Sequence, residues 1–256
     1  MNIPDKELIG KRFFKKKDTY KKQAVIQQKV SNMLAEMIHA HSDSYTKMLE
    51  IGCGVGFLTD FILSKCSVEK FFANDITGHL EDELLQIIKS HSCPSSEFIW
   101  GDAEEITFPP HLSAVVSSST FQWFHDIPSF IVKTYNTLEK DGLFAFSTYG
   151  PNNFIEIKKI NNYGLRYLTL AQLKALLKPY FEIISAEEWT EKLYFKDPYD
   201  VLKHIQATGV NSITNHQSYF GKKNIEQFIR SYNRFFTEDD KVFITYHPII
   251  ILAKKK

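Results

Sequence analysis

The chain has 256 residues, enough to bury a substantial core, and its 31 Lys plus Arg stand against 30 Asp plus Glu. A net charge of +1 provides no field for a charge-driven nucleic-acid binder. Its three cysteines, Cys53, Cys66 and Cys93, cannot all pair and show no C-x-x-C spacing, which argues against a disulfide scaffold or a zinc site and for a reducing cytoplasm.

The opening residues Asn2-Ile3-Pro4-Asp5-Lys6 lack the apolar centre of a signal peptide, and no apolar run is long enough to span a bilayer. A basic stretch over 11–22 carries Phe13, Phe14 and Tyr20 among its lysines. It leads into a helical pattern with Val25, Val30, Met33, Leu34, Met37 and Ile38 on one face. Short apolar runs and helical segments then alternate. Strands are expected at 48–51, 70–75, 97–100, 112–118 and 142–148, and helices at 57–65, 80–90 and 128–138. Asp126 is expected near the N-cap of the last of these helices. Alternation over about a hundred residues argues for a parallel, doubly wound α/β sheet. Beyond Gly150 the rhythm breaks: 170–177, 198–206 and 224–235 look helical, 181–189 looks extended, and 241–252 reads as one final strand.

The bend between the first strand and its helix is Glu50-Ile51-Gly52-Cys53-Gly54-Val55-Gly56. Glycines there let backbone approach a ligand closely, and the helix start favours negative charge. The spacing is G-x-G-x-G rather than the dinucleotide G-x-G-x-x-G, and Glu50 precedes the first glycine by two positions. That suits a ligand with an amino-acid tail, Glu50 holding the ammonium and loop amides the carboxylate. Asp75 closes the second strand, where an acid accepts hydrogen bonds from ribose hydroxyls. Asp102, after the third strand, can accept from an adenine amino group. Each acid alone is equally well read as turn chemistry. The three in this order resemble the class I methyltransferase pattern, with S-adenosylmethionine as the cofactor. Glu50, Gly52, Cys53, Gly54, Gly56, Asp75, Ile76, Asp102, Ala103 and Ser118 are its expected contacts.

A more specific resemblance runs through nearly the whole chain. Phe14-Lys15, Tyr20 and Ala24-Val25-Ile26-Gln27, the segment 117–124, Phe144 to Asn153, Arg166-Tyr167-Leu168, Leu202 to Asn211 and Ile244 to His247 are similar to segments of the malonyl-[acyl-carrier protein] O-methyltransferases of biotin synthesis. Asn74 to His79 departs from that family in lacking a methionine after the ribose acid. The resemblance implies a Rossmann-like sheet, mostly parallel with an antiparallel last strand, under a helical cap. Residues 1–40 would contribute to the cap, 41–150 form the cofactor-binding core, 151–240 carry cap insertions and a sixth strand, and 241–256 form the final strand.

It also implies methyl transfer to the free carboxylate of a malonyl thioester on acyl-carrier protein, yielding S-adenosylhomocysteine and a masked primer for a pimeloyl chain. A carboxylate is ionised near neutral pH and needs no general base, so catalysis rests on alignment and exclusion of water. Arg166 is the expected carboxylate clamp, with Tyr20 and Gln122 as further acceptor contacts and Trp123 beside them. Arg166 reads equally as a surface ion-pair partner, Tyr20 as a helix-surface aromatic and Trp123 as core. His125, His204 and His247 are poor candidates for a base. Lys11, Arg12, Lys15, Lys16 and Lys17, with Lys222, Lys223, Arg230 and Arg234, offer an acidic carrier a landing site. The alternatives are another small-carboxylate or lipid-like acceptor, or a non-catalytic scaffold. A nucleic-acid methyltransferase fits less well, because no Asn/Asp-Pro-Pro-Tyr/Phe motif follows the fourth strand.

Overall fold

The computed structural model describes residues 5–161, 164–208 and 222–256, without the side chains of 222–224. Three helices come first: α1 (Lys6–Lys15), α2 (Lys17–Gln23) and α3 (Val25–His41). The alternating core follows as β1 (Ser44–Ile51), α4 (Phe57–Leu63), β2 (Ser67–Asp75), α5 (Glu81–Ser90), β3 (Ser95–Trp100) and β4 (Leu112–Ser117), then α6 (Ile127–Thr137) and β5 (Leu138–Tyr149). The remainder is α7 (Ile155–Asn161), α8 (Leu170–Leu177), β6 (Phe181–Glu188), β7 (Glu191–Phe195), α9 (Pro198–Ala207), α10 (Lys222–Phe235), β8 (Thr237–Glu238), β9 (Lys241–Tyr246) and β10 (Pro248–Lys255).

Seven strands form one sheet in the order β3-β2-β1-β4-β5-β10-β6. β1 to β5 run parallel to one another, and β10 is antiparallel to both β5 and β6. Successive side chains on these strands enter opposite cores, as a pleat requires. Met48, Phe71, Val116, Ala145 and Ile250 join one core with Val30, Leu34 and Ile38 of α3. Leu49, Phe72, Val115, Phe144, Phe146 and Ile251 join the other with Phe130 of α6 and Leu173 of α8. Burial on both faces explains why these strands read as continuous apolar runs. Helix starts follow local chemistry: Asp126 accepts from Ser129 N (3.0 Å) ahead of α6, and Thr169 and Gln172 form a capping box on α8.

The expected single strand over 241–252 is two strands in two sheets. Up to Tyr246 the chain pairs with β7 and β8 in a three-stranded antiparallel cap sheet. After His247 it crosses into the main sheet, with Pro248 opposite Tyr149. The apolar pattern continues through this break because both pieces are buried, so periodicity alone cannot register it. His247 anchors the crossing: its carbonyl accepts from Gly150 N (2.7 Å) and its ring from Asn152 N (3.2 Å). The cap therefore carries a small sheet in addition to its helices, and Gly209-Val210-Asn211 lie outside the described residues.

Glu156 of α7 ties the helix to this cap sheet. It is 1% exposed and accepts from both the Thr245 backbone N (3.0 Å) and the Thr245 hydroxyl. Replacing Glu156 with alanine strands two buried donors, so stability is expected to fall by about 3 kcal/mol. A shift of the urea midpoint at unchanged slope checks this.

Candidate active site

Ligands of open α/β sheets bind beyond the carboxyl ends of the strands, where the strand order reverses. Here that point lies between β1 and β4, and a cleft opens there, with about 950 Å³ of empty space that includes its mouth. Its floor is the glycine bend. Gly52, Gly54 and Gly56 have φ of 69°, 51° and 84°, a region that side-chain-bearing residues adopt only with strain. A Cβ on Gly52 would lie 2.3 Å from Thr120 Oγ1. The bend is thus shaped for backbone to face the cleft.

Three acids stand along the cleft. Glu50, at the end of β1, is 1% exposed and accepts from Thr59 Oγ1 (2.5 Å) at the start of α4. Burial, helped by the like charge of Asp75, pushes its carboxyl up to about 8, against the Thr59 bond. Asp75 ends β2 and accepts from Gly54 N (2.9 Å) and Thr77 N (3.2 Å). Burial raises its pKa too, while these backbone donors oppose the rise. Asp102 accepts from Glu104 N (3.0 Å) and from Lys6 Nζ (2.8 and 2.7 Å).

Lys6 was not anticipated. It also pairs with Glu104, and its side chain is only 11% exposed. With it, α1 crosses the mouth of the cleft. Gly10 lets the helix approach so closely that a Cβ there would meet Thr77 and Ile76 at 2.8 and 2.9 Å, and the Phe13 ring covers Gly54. The only sequence signal was Asp5, which caps α1 by accepting from Leu8 N (3.0 Å). Asp102 retains acceptor capacity, because a carboxylate offers about four lone-pair sites.

All the expected cofactor contacts except Gly56 line this cleft. Gly56 instead lets the bend pass Leu84 and Ile87 of α5, where a Cβ would come within 2.6 Å of Ile87. Cys53 is 4% exposed and burial drives its thiol pKa well up, so it enters the site as a neutral wall. Tyr20 and Trp123 line the cleft. Tyr20 packs on Phe13 and Phe57, and burial raises its phenol pKa, keeping it a hydrogen donor.

Gln122 and Arg166 are placed differently. Gln122 turns its amide back to the Ser119 carbonyl and does not line the cleft. Arg166 is exposed on 164–169, a stretch without regular secondary structure, outside the lining. Its neighbour Tyr167 is half-buried, and the Tyr167 hydroxyl accepts from Asn153 Nδ2 (3.0 Å). The cleft is lined instead by Tyr20, Gln27, Ser31, Ser118 and Ser119, among others. Serine hydroxyls there form a chain, Ser31 to Ser118 (2.9 Å) and Ser118 to Ser147 (3.0 Å). None of His125, His204 and His247 lines the cleft. Among the described residues, no group of three or more His, Cys, Asp or Glu is arranged to hold a metal, and no helix is long and apolar enough to cross a membrane.

A glycine bend that a Cβ would fill, a buried acid beneath it and two further acids along one cleft fit S-adenosylmethionine part by part: ammonium and carboxylate, ribose, adenine. Residues 49–146 match the family described as a methyltransferase domain. The fold is shared with the YcgJ protein of Bacillus subtilis, at TM-score 0.63 and 14% identity over 88% of this chain and 98% of that one. It is shared too with the N-methyltransferase NodS of Bradyrhizobium japonicum, solved in complex with S-adenosylhomocysteine, at TM-score 0.54 and 9% identity over 88% and 85% of the two chains. Fold and site together define a class I S-adenosylmethionine-dependent methyltransferase.

Two relatives narrow the class. The malonyl-[acyl-carrier protein] O-methyltransferase of Acinetobacter baylyi is 33% identical, the match covering 98% of this chain and 97% of the relative. Its namesake from Calditerrivibrio nitroreducens is 35% identical over 95% and 94%. The chain belongs to the malonyl-[acyl-carrier protein] O-methyltransferase family.

Proposed function

We propose that the protein transfers a methyl group from S-adenosylmethionine to the free carboxylate of a malonyl thioester borne by acyl-carrier protein. The observation that carries this reading is the near end-to-end similarity to relatives of that name. The chemistry at the acceptor end supports it. S-adenosylmethionine, when bound, supplies an electrophilic methyl on sulfur. A carboxylate attacks without losing a proton, so the site needs donors and a dry wall rather than a base. Tyr20, held protonated, and the serine hydroxyls are such donors. His204, the titratable group nearest in function to a base, is pushed down to about 4 by burial and bound to Tyr246 instead. Esterification hides the charge, so chain-elongating enzymes accept the product as an ordinary acyl primer.

Mass spectrometry of malonyl-carrier protein after incubation with enzyme and S-adenosylmethionine tests this reading. One added methyl group, removed by mild ester hydrolysis, is expected. Methylation of free dicarboxylates with the carrier left unchanged would favour a different acceptor.

The carrier is an acidic partner in this reading. On α1 and α2, Lys11 pairs with Glu7 and Lys17 with Glu83, whereas Lys15 and Lys16 are exposed. Arg230 and Arg234 are exposed on α10, while the side chains of Lys222 and Lys223 lie outside the described residues. Changing Lys15 and Lys16 together to glutamate is expected to raise KM for malonyl-carrier about three- to tenfold while sparing a short malonyl thioester. Equal effects on both substrates would remove these residues from docking.

A further inference from the structure

Helix α1 turns Lys6, Ile9, Gly10 and Phe13 to the cleft, positions i, i+3, i+4 and i+7 that share one face of a helix. Two points fix that face. At Gly10 the backbone comes so close to the turn after Asp75 that a Cβ would meet Thr77 and Ile76. At Lys6 the ammonium is held by two carboxylates, Asp102 and Glu104. Lys6 is the one cation among the described lining residues. S-adenosylmethionine carries positive charge of its own, on its sulfur and its amino group, so an unpaired lysine would oppose it. Pairing removes that conflict, and Lys6 therefore serves something other than charge attraction to the cofactor.

Lys6 Nζ donates to both oxygens of Asp102, at 2.8 and 2.7 Å, and to Glu104 Oε2. That uses all three of its hydrogens. A donor shared between both oxygens fixes the plane of the Asp102 carboxylate, and Glu104 N donates to Oδ1 as well (3.0 Å). Of about four lone-pair sites three are taken, and the last, on Oδ2, is left for a ligand in the cleft that Asp102 lines. Glu104 is anchored in turn, accepting from His125 N (2.9 Å) and Asp126 N (2.6 Å) at the start of α6.

The Asp102 and Glu104 side chains are only 21% and 14% exposed. Without the ammonium between them, two carboxylates in so dry a place would repel each other and turn Asp102 away. We infer that Lys6 is a positioning residue of the cofactor site. It aims the free lone pair of Asp102 at the exocyclic amino group of adenine, and so gives the site its preference for that base. This rests on Asp102 being the group that accepts from the adenine.

The test is calorimetry with S-adenosylhomocysteine and S-inosylhomocysteine, because the second ligand carries a carbonyl where adenine has its amino group. The wild type should prefer the adenosyl ligand about 30- to 100-fold. Lys6→Met should weaken the adenosyl ligand about ten- to thirtyfold and the inosyl ligand less than about threefold, so that most of the preference is lost. Lys6→Arg should restore it, since a guanidinium can donate to both carboxylates. A Lys6→Met protein that keeps the wild-type preference would overturn the inference. So would one that loses both ligands equally, which is what the removal of a merely structural contact produces. If Lys6→Met does not fold, Lys6→Gln takes its place with the same expectations, since it stays polar and removes the charge. Asp102→Ala should abolish the preference with Lys6 intact. Were that variant still to favour the adenosyl ligand, the assignment of Asp102 itself would fall, and the role of Lys6 with it.

Discussion

Replacing Asp75 with alanine is expected to weaken S-adenosylhomocysteine binding on the order of 100- to 1000-fold. Two ribose hydroxyls donating to one carboxylate would make charge-assisted bonds, and at about 1.5–2 kcal/mol each, the low end for such bonds, losing both accounts for that range. The same carboxylate holds Gly54 N and Thr77 N, so its removal also loosens the bend against which the ligand lies. Folding of the ligand-free protein should suffer much less. Burial already works against the Asp75 charge, and relief of that desolvation offsets the two lost backbone bonds. Asp75→Asn should fall between wild type and alanine, since it keeps an acceptor and loses the charge. Calorimetry separates the cases, and an alanine variant that binds normally would remove Asp75 from the cofactor site.

What the sequence showed about this site was local. Glu50, the three glycines, Asp75 and Asp102 sit at strand ends, and each is legible from the few residues around it. The closure of the cleft is not local. Lys6 meets Asp102 from 96 positions away, and no periodicity in residues 5–16 says that α1 will lie across the mouth. The sequence therefore shows the lysines that follow as surface charge, and does not show that Lys6, just ahead of them, pairs with Asp102 and Glu104 at the cleft. Gln27 was hidden for a related reason. It sits in a helical pattern where a polar residue reads as surface, and only the fold buries it in the wall of the cleft. Arg166 shows the converse, because a guanidinium near a helix start suits an anion until the fold leaves it exposed and outside the cleft lining. The division of 241–252 into β9 and β10 escaped notice because Ile244 and Ile250 are equally buried on either side of His247.

Glu50 connects stability, pH and ligand in one residue. An unfolded glutamate titrates near ~4.3, whereas burial holds the native carboxyl up at about 8. Between those values the native state keeps a proton that the unfolded chain has released, so the ligand-free protein should lose stability as pH rises through the window. The loss is absent below the unfolded pKa and complete above about pH 8. For a single proton the slope reaches about 1.4 kcal/mol per pH unit, and the raised pKa of Asp75 adds in the same direction. Glu50→Gln should flatten the Glu50 part of this slope and make the ligand-free protein more stable than wild type at pH 8. Binding should change with the opposite sign. The ammonium of the methionine tail favours the carboxylate, so near neutral pH the wild type must release a proton as it binds S-adenosylhomocysteine. Binding enthalpies measured in buffers of different ionisation heat would reveal that proton, and Glu50→Gln should abolish it while weakening affinity about 10- to 100-fold. A variant that is firmer without ligand yet poorer at holding it is what a strained ligand-facing charge predicts. If the glutamine form kept both the wild-type pH slope and the proton release, Glu50 would not be the group that meets the ammonium.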